Sequence, residues 1–381
     1  MKICEYVPHG AIPDIRGFAP AIVAQNFARF LADDEVYLIS NKEDYDSNFA
    51  KSEYGDIYRI AEGALYRRLF RKITRLDPYP LQDRAAKIVS KYPVDIFHAH
   101  QLEFDVNRFK KKVDKRTKIA VHVHAMRSFS DKRGIADQYI ACSEYTQNRL
   151  INEKGYPKEL IKVVYNGADT ELFSPPTKEE ALSARKRFGL PNDCIVVSYI
   201  GRKQEAKGYG RFLKAAKRLV ELRDDVFFVC VGPTPADAIK DTNHKELIEL
   251  EKRLAISGRL VSKGALSHNH LSSVYKATDI VYFPTSFGGE QHPVVGVEAI
   301  ASGCVLIATK FAGIIETIED KVSGLFIEYP PKEDDGFTKL QNTIENIESL
   351  SHIRKNARNV AVDKFSWNIT TRNLRDIFYQ L

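Results

Sequence analysis

At 381 residues, the chain is too long for one ordinary core and suits two α/β domains of similar size, and its 44% hydrophobic content excludes long disorder. Five dispersed cysteines (Cys4, Cys142, Cys194, Cys230, Cys304), with no C-x-x-C pair, argue against a disulfide framework and for a reducing compartment. The net charge of +7 is uneven: residues 1–168 hold 28 basic and 22 acidic side chains, so the first half is expected to face something anionic, such as a membrane surface, a phosphorylated lipid or an acidic glycan. The opening MKICEYVPHG does not read as a signal peptide, and no run of about 18 apolar residues reads as a membrane span. A cytoplasmic location follows as an expectation, with peripheral attachment to the inner face of a membrane as an option.

Along the first half, strands are predicted at Ile3–Val7, Val36–Ser40, Asp95–His98, Ile119–Val123, Gln138–Cys142 and Lys162–Tyr165. Amphipathic helical stretches, such as Ala21–Leu31 and Gln82–Lys91, lie between several of them. Short apolar strands joined by helices predict a parallel, doubly wound sheet. The segment NGADTELFSPP, from Asn166, is rich in turn formers and marks a domain junction. The rhythm then restarts with Ile195–Ile200, Phe227–Val231, Ile280–Phe283 and Val305–Ala308, and closes on a helix near Ser366–Leu381. The expected organisation is a first Rossmann-like domain at 1–168, a second at 169–365, and a helix at 366–381 packing back on the first. Ligands of such folds bind in a crevice at the strand ends.

The richest segment is FPTSFGGEQHPVVGVEAIASGCVLIAT, residues 283–309. A strand ends near Phe283, a loop carries Gly288 and Gly289, and Pro293 suits a first helical position. The helix should end near Ser302, at Gly303. Glu290 therefore lies on the loop and Glu298 inside the helix, among Val294, Val295, Val297, Ala299 and Ile300. A helix apolar on nearly all sides is buried. A buried carboxylate costs several kcal/mol without partners, so ligand hydroxyls or protein donors must satisfy Glu298. The helix N-terminus offers free N–H groups suited to a phosphate. Arg202 and Lys207 sit in the loop after Ile195–Ile200, where two cations can clamp a diphosphate or simply be solvated. Further strand-end loops fall at Gly232 and Gly264.

Together, Glu290-x7-Glu298 in the setting E-A-I-A-S-G-C-V-L-I-A, the pair Gly201-Arg202 with Lys207-Gly208, VVYNGADTELFSP, DIFHAH and VHVHA resemble the family 4 glycosyltransferases of GT-B fold. The match is strong over residues 160–330 and weaker before that. The resemblance implies two Rossmann-like domains facing a central cleft and a retaining transfer from a nucleotide-diphosphate sugar, UDP- or GDP-linked, without metal or other cofactor. It implies that Arg202 and Lys207 hold the donor diphosphate, that Glu290 meets the donor sugar, and that Glu298 takes the ribose hydroxyls. Val294 and Val295, at the start of the same helix, are further donor contacts. Gly264 and Leu266 would frame the base, and His124 would stand near the anomeric carbon. Positive groups take the place of a cation on the leaving diphosphate. Two positions depart from the pattern. The usual glycine pair of the first loop, close to the donor phosphate, is Gly17-Phe18, so Gly17 is a donor-binding candidate with Arg16 an added phosphate candidate, and a usual Phe-Gly is His292-Pro293, where His292 is expected to replace the contact that proline cannot make.

Residues 63–76, GALYRRLFRKITRL, place Leu65, Leu69, Ile73 and Leu76 at helical spacing with Arg67, Arg68, Arg71, Lys72 and Arg75 between them. Such a helix either lies in an anionic membrane interface or packs on the sheet with a solvated charged face. Residues 108–118 form a second basic cluster. Nucleic acid is disfavoured, because neither cluster interleaves aromatic stacking residues. The leading expectation is a transferase of hexose or N-acetylhexosamine to a glycan or lipid-linked acceptor in surface polysaccharide synthesis, such as lipopolysaccharide. A nucleotide-sugar epimerase of the same fold and a catalytically silent nucleotide- or carbohydrate-binding protein are the competing readings. A dehydrogenase is disfavoured, since no G-x-G-x-x-G follows an early strand.

Overall fold

The computed structural model describes residues 1–8, 10–14, 17–42, 47–61, 65–78, 80–100, 105–126, 135–235, 242–286, 288 and 290–381. Residues 1–165 with 370–381 form one compact unit, and residues 166–369 form the other. The division falls three residues before the expected boundary at 168, because the junction is tied to the second unit. Ala168 bridges Ser366, and the Trp367 N–H donates to the Ala168 carbonyl at 3.1 Å.

The first unit is built on β1 (Lys2–Tyr6), β2 (Glu35–Asn41), β3 (Phe49–Ser52), β4 (Gly55–Ile60), β5 (Ile96–His100), β6 (Lys118–Val123), β7 (Gln138–Ala141) and β8 (Ile161–Val163). Its order is β3-β4-β2-β1-β5-β6-β7-β8, parallel throughout except that β3 pairs antiparallel with β4. Its helices are α1 (Ala19–Phe30), α2 (Leu65–Thr74), α3 (Leu81–Lys91), α4 (Val106–Lys110) and α5 (Glu144–Lys154). One face of the sheet buries Cys4, Tyr6, Phe97, Val121 and Tyr139 in an apolar core with Ala85 and Val89 of α3. On the other face lie the side chains of alternate residues, among them Glu5, which pairs in register with His98. The strand order reverses between β1 and β5, so those polar residues stand at a topological switch point.

The second unit holds β9 (Ile195–Ile200), β10 (Val226–Val231), β11 (Leu260–Lys263), β12 (Ile280–Phe283), β13 (Val305–Thr309) and β14 (Leu325–Ile327), in the order β11-β10-β9-β12-β13-β14, all parallel. This is the doubly wound Rossmann order, with its switch point between β9 and β12. Its helices are α6 (Lys178–Arg187), α7 (Tyr209–Leu222), α8 (Thr242–Ile256), α9 (His268–Ala277), α10 (Val294–Ala301), α11 (Glu333–Glu345) and α12 (Ser351–Phe365). Thr177 and Glu180 close a capping box at the start of α6. The last helix, α13 (Trp367–Phe378), begins in the second unit, and from Thr370 onward it belongs to the first. There, Arg375 pairs with Asp33 at 2.9 Å and Phe378 lies 5.2 Å from the His98 ring.

Candidate active site

The loops after β9 and β12 meet because a glycine lets them. Gly208 has φ +86°, and a Cβ there would stand 2.4 Å from the Pro284 carbonyl oxygen. The loops are joined further by Ser286 N–H to the Ala206 carbonyl, 2.8 Å. This contact sets Lys207 Nζ against Glu290 Oε1 at 2.5 Å, with Thr285 Oγ1 donating to the same oxygen at 3.3 Å. Glu290 is held in turn through its main chain, whose carbonyl accepts from Gly313 N–H at 3.0 Å. Only glycine fits at 313, since a Cβ would lie 1.4 Å from the Gln291 carbonyl oxygen. The structure thus unites two residues 83 positions apart at the switch point. Arg202, from the same first loop, is exposed and has no ion-pair partner among the described residues. Its carbonyl accepts from the buried Tyr199 hydroxyl at 2.6 Å, which fixes the backbone that carries it.

α10 starts at Val294, one residue after Pro293, and stops before Gly303 at φ +71°. Val294 and Val295 are therefore its first two residues, whose N–H groups have no intrahelical acceptor. Glu298, one turn on, is 3% exposed. Tyr275 of α9 donates to its Oε2 at 3.0 Å, and His268, the first residue of α9, holds Nε2 3.9 Å from Oε1. Burial outweighs the tyrosine bond and pushes the Glu298 carboxyl up to about 8. Protein donors thus satisfy the acid only in part. Gly264 and Leu266 follow β11 on the loop that leads into α9, with Gly264 exposed and Leu266 half-buried. Two surface cavities of about 490 Å³ each lie elsewhere in this unit, one lined by Ile195, Asp225 and Asp279, the other by Pro175, Asp279 and Gly303. They sit toward the N-terminal strand ends, away from these loops.

Two expectations are corrected. His292 does not line the open loop: its side chain is 3% exposed and packs 5.2 Å from the Phe365 ring, and burial lowers its pKa to about 3. Its carbonyl accepts from Asn166 Nδ2 at 2.7 Å, so the residue anchors the junction segment instead of replacing a donor contact. The Gly17 N–H is not open to a phosphate either. It donates to Asp14 Oδ2 at 2.6 Å, and Phe18 N–H donates to the same oxygen at 3.0 Å, so a carboxylate already occupies that loop. Arg16 lies outside the described residues.

In the first unit, His124 follows β6 and bonds through Nε2 to Nδ1 of His100 at 2.9 Å. His100 Nε2 reaches Glu5 Oε2 at 2.5 Å, and His98 Nδ1 reaches the same oxygen at 2.8 Å. His122 stacks on His124 with ring centroids 4.3 Å apart. Glu5, His98, His100 and His122 are all fully buried. Sequence reasoning singled out His124 alone, although the i, i+2 spacing in HAH and HVH was a signal that each pair shares one face of the sheet. Tyr275, Thr285 and His268 were also missed, since a lone residue in an amphipathic helix or a loop carries no code.

The expected basic helix forms as α2, and Leu69, Ile73 and Leu76 of its predicted apolar row are each at least half exposed, as is Tyr66; the side chain of Leu65 lies outside the described residues, and the neighbouring Arg71, Lys72 and Arg75 are exposed. Arg67 is tied to Asp77 at 2.8 Å. Leu69, Ile73 and Leu76 therefore do not pack on the sheet. The second cluster is compensated in part, with Arg108 and Lys112 on Asp83 and Lys110 on Asp137. No helix among the described residues is long and apolar enough to cross a membrane.

Comparison with solved structures places the two-unit fold among the GT-B glycosyltransferases. Anabaena HepE, solved in complex with UDP and glucose, is similar with a TM-score of 0.77 at 20% identity over all of both chains. The sucrose-phosphate synthase of Thermosynechococcus elongatus is similar with a TM-score of 0.80 at 17% identity, over all of this chain and 98% of that one. Residues 181–360 match the family described as glycosyl transferases group 1, and residues 21–172 match glycosyltransferase family 4. The chain belongs to the family 4 glycosyltransferases. Among curated relatives, the D-inositol 3-phosphate glycosyltransferase of Corynebacterium kroppenstedtii is 30% identical over 64% of this chain, which spans about half (53%) of that protein. The lipopolysaccharide 1,2-N-acetylglucosaminetransferase of Salmonella typhimurium is 24% identical over 83% of this chain and 82% of its own length.

Proposed function

We propose that the chain is a retaining glycosyltransferase that moves a hexose or N-acetylhexosamine from a UDP- or GDP-sugar to a glycan or lipid-linked acceptor of a surface polysaccharide. The observation that carries this reading is the Lys207–Glu290 pair at the β9/β12 switch point, one short loop from the buried acid Glu298. The lipopolysaccharide transferase among the relatives and the complex with UDP and glucose among the similar structures support the donor and acceptor classes.

The residues divide the work. Lys207 and Arg202 bring positive charge to the diphosphate and stabilise it as it departs. When the donor arrives, Lys207 exchanges part of its hold on Glu290 for phosphate oxygens, and the freed carboxylate oxygen accepts sugar hydroxyls. The N–H groups of Val294 and Val295 add dipole and hydrogen bonds at the start of α10. Glu298 takes the ribose hydroxyls, which replaces part of the hydration it lost on burial. The C1–phosphate bond breaks as the acceptor oxygen bonds C1 on the same face, and the acceptor proton passes to the departing phosphate. His124 attends the reacting carbon, a role carried by the family resemblance. The chemistry requires no metal in this scheme, so activity should survive EDTA.

The exposed apolar row of α2, flanked by Arg71, Lys72 and Arg75, supports docking on an anionic bilayer, which would bring a lipid-linked acceptor within reach. The whole proposal is tested with a panel of UDP-, GDP- and ADP-sugars, measuring nucleotide release with and without a lipid-linked acceptor. Acceptor-stimulated release from a UDP- or GDP-sugar is expected; no binding or turnover across the panel would refute the transferase reading. Binding without turnover would favour the silent binding protein.

A further inference from the structure

The Glu5–histidine cluster is an unusual thing to bury. Glu5, His98, His100 and His122 are fully inaccessible beneath Phe27 of α1, whose ring lies 5.7 to 6.4 Å from the three imidazoles, and Phe378 of α13. Unpaired, such a carboxylate would cost several kcal/mol, and the bonds from His98 and His100 offset that cost. Its hydrogen bonds form a chain with one consistent direction. Burial alone would raise the Glu5 carboxyl, but the charge of His98 and the bonds from His100 and His98 outweigh it and hold it at about 2. An ionised carboxylate only accepts. His98 Nδ1 and His100 Nε2 therefore carry hydrogens toward Oε2. Burial, then the charge of His98, lowers His100 to about 4, so its ring is neutral and Nδ1 is bare. A bare Nδ1 at 2.9 Å must receive a hydrogen, and the atom facing it is Nε2 of His124.

We propose that Glu5 and His100 are positioning residues that lock His124 in the tautomer protonated at Nε2, leaving its Nδ1 as a fixed acceptor for a substrate hydroxyl. The arrangement extends the logic by which a buried carboxylate orients a catalytic histidine, with one more imidazole in series. His122 contributes the remaining restraint, since its ring lies parallel to that of His124, 8° apart in plane, and blocks rotation on that side. A tautomer fixed this way presents an acceptor and not a donor. The group at Nδ1 must then carry a hydrogen, as a hydroxyl of sugar or acceptor does, and cannot be a bare phosphate oxygen.

The same cluster brings ligand atoms of His100, His122 and His124 within 4.8 Å of one another, close enough to raise a metal. The ring planes argue against it. Imidazole lone pairs lie in the ring plane, and the His122 and His124 rings face each other in parallel, so their lone pairs run side by side instead of converging on one ion.

The substrate part of this inference rests on the proposed transferase reading; the tautomer part does not. The test is side-chain ¹⁵N NMR of the full chain labelled at histidine, at pH 7, with His124 assigned from the spectrum of His124→Gln. The expected result is a pyrrole-type Nε2 and a pyridine-type Nδ1 for His124, held as one tautomer. A proton on Nδ1, averaging between tautomers, or one zinc ion bound per chain at these nitrogens would each overturn the proposal. In Glu5→Gln, which keeps size and loses charge, His124 should lose its single tautomer and kcat should fall roughly 10- to 100-fold with KM little changed. Glu5→Asp should recover part of both. A Glu5→Gln variant that folds with an unchanged His124 spectrum and full kcat would also overturn it. If Glu5→Gln does not fold, the wild-type spectrum decides. If no sugar nucleotide is turned over, the spectrum still stands or falls alone.

Discussion

Glu298 is held in a state the folded protein would be more stable without. Its folded pKa, about 8, lies above the unfolded value of 4.5. A group raised on folding contributes its full stability below the unfolded value and loses it as pH climbs toward and through the folded one. At pH 7 the difference spans about 2.5 units, which at about 1.4 kcal/mol per unit amounts to roughly 3 kcal/mol of stability forgone. Glu298→Gln removes the charge and keeps an acceptor for the Tyr275 hydroxyl. The ligand-free variant should therefore be more stable than the parent at pH 7, by roughly 6 to 12 °C in Tm for a unit of this size. The gap should widen toward pH 8 and vanish near pH 4.5. Thermal melts across that range, read by circular dichroism, check both the sign and the slope. A variant less stable at pH 8, or an offset independent of pH, would refute the reasoning. The gain should come with lost nucleotide affinity, the signature of a residue kept for binding.

Other consequences follow from the same geometry. If ribose hydroxyls donate to an ionised Glu298, nucleotide binding releases a proton below pH 8, and affinity should rise by up to about tenfold per pH unit between pH 6 and 8; calorimetry in buffers of different ionisation enthalpy measures the proton directly, and no proton release would contradict the assignment. Glu290→Gln breaks the ion pair with Lys207 while keeping volume, and kcat/KM should fall on the order of 10²- to 10³-fold with unchanged circular dichroism; full activity would displace Glu290 from the site. Reversing Arg71, Lys72 and Arg75 to glutamate should abolish flotation with phosphatidylglycerol vesicles while nucleotide release from a water-soluble acceptor assay stays intact; equal flotation of both proteins would remove the membrane role of α2.

The parallel core strands were legible because they are buried on both faces and read as short apolar runs. β9 and β12 match their predicted bounds, β6 and β13 differ by one residue at one end, and β1 and β2 by one residue at each end. β3 and β4 escaped notice: β3 is a four-residue edge strand carrying Lys51, and β4 mixes Asp56 and Arg59 into its pattern, so neither shows a clean period. β14 was missed as well, being an edge strand of three residues, whereas the end of β11 was read from the loop at Gly264. At the site, the burial of Glu298 followed from the apolar helix around it, but its partner Tyr275 lies on another helix, 23 residues away. The Lys207–Glu290 pair depends on Gly208 approaching Pro284 across the switch point, a tertiary contact with no local trace. His292 was misplaced for the complementary reason. Its position after the loop suggested solvent, whereas Phe365, 73 residues further on, supplies the surface that buries it.

The central claim is retaining transfer from a nucleotide sugar, and the anomeric configuration of the product tests it most directly. NMR of the glycoside formed from an α-linked UDP- or GDP-sugar, read through the one-bond C1–H1 coupling, should show an α product. A β product, or hydrolysis without transfer to any acceptor, would contradict the account.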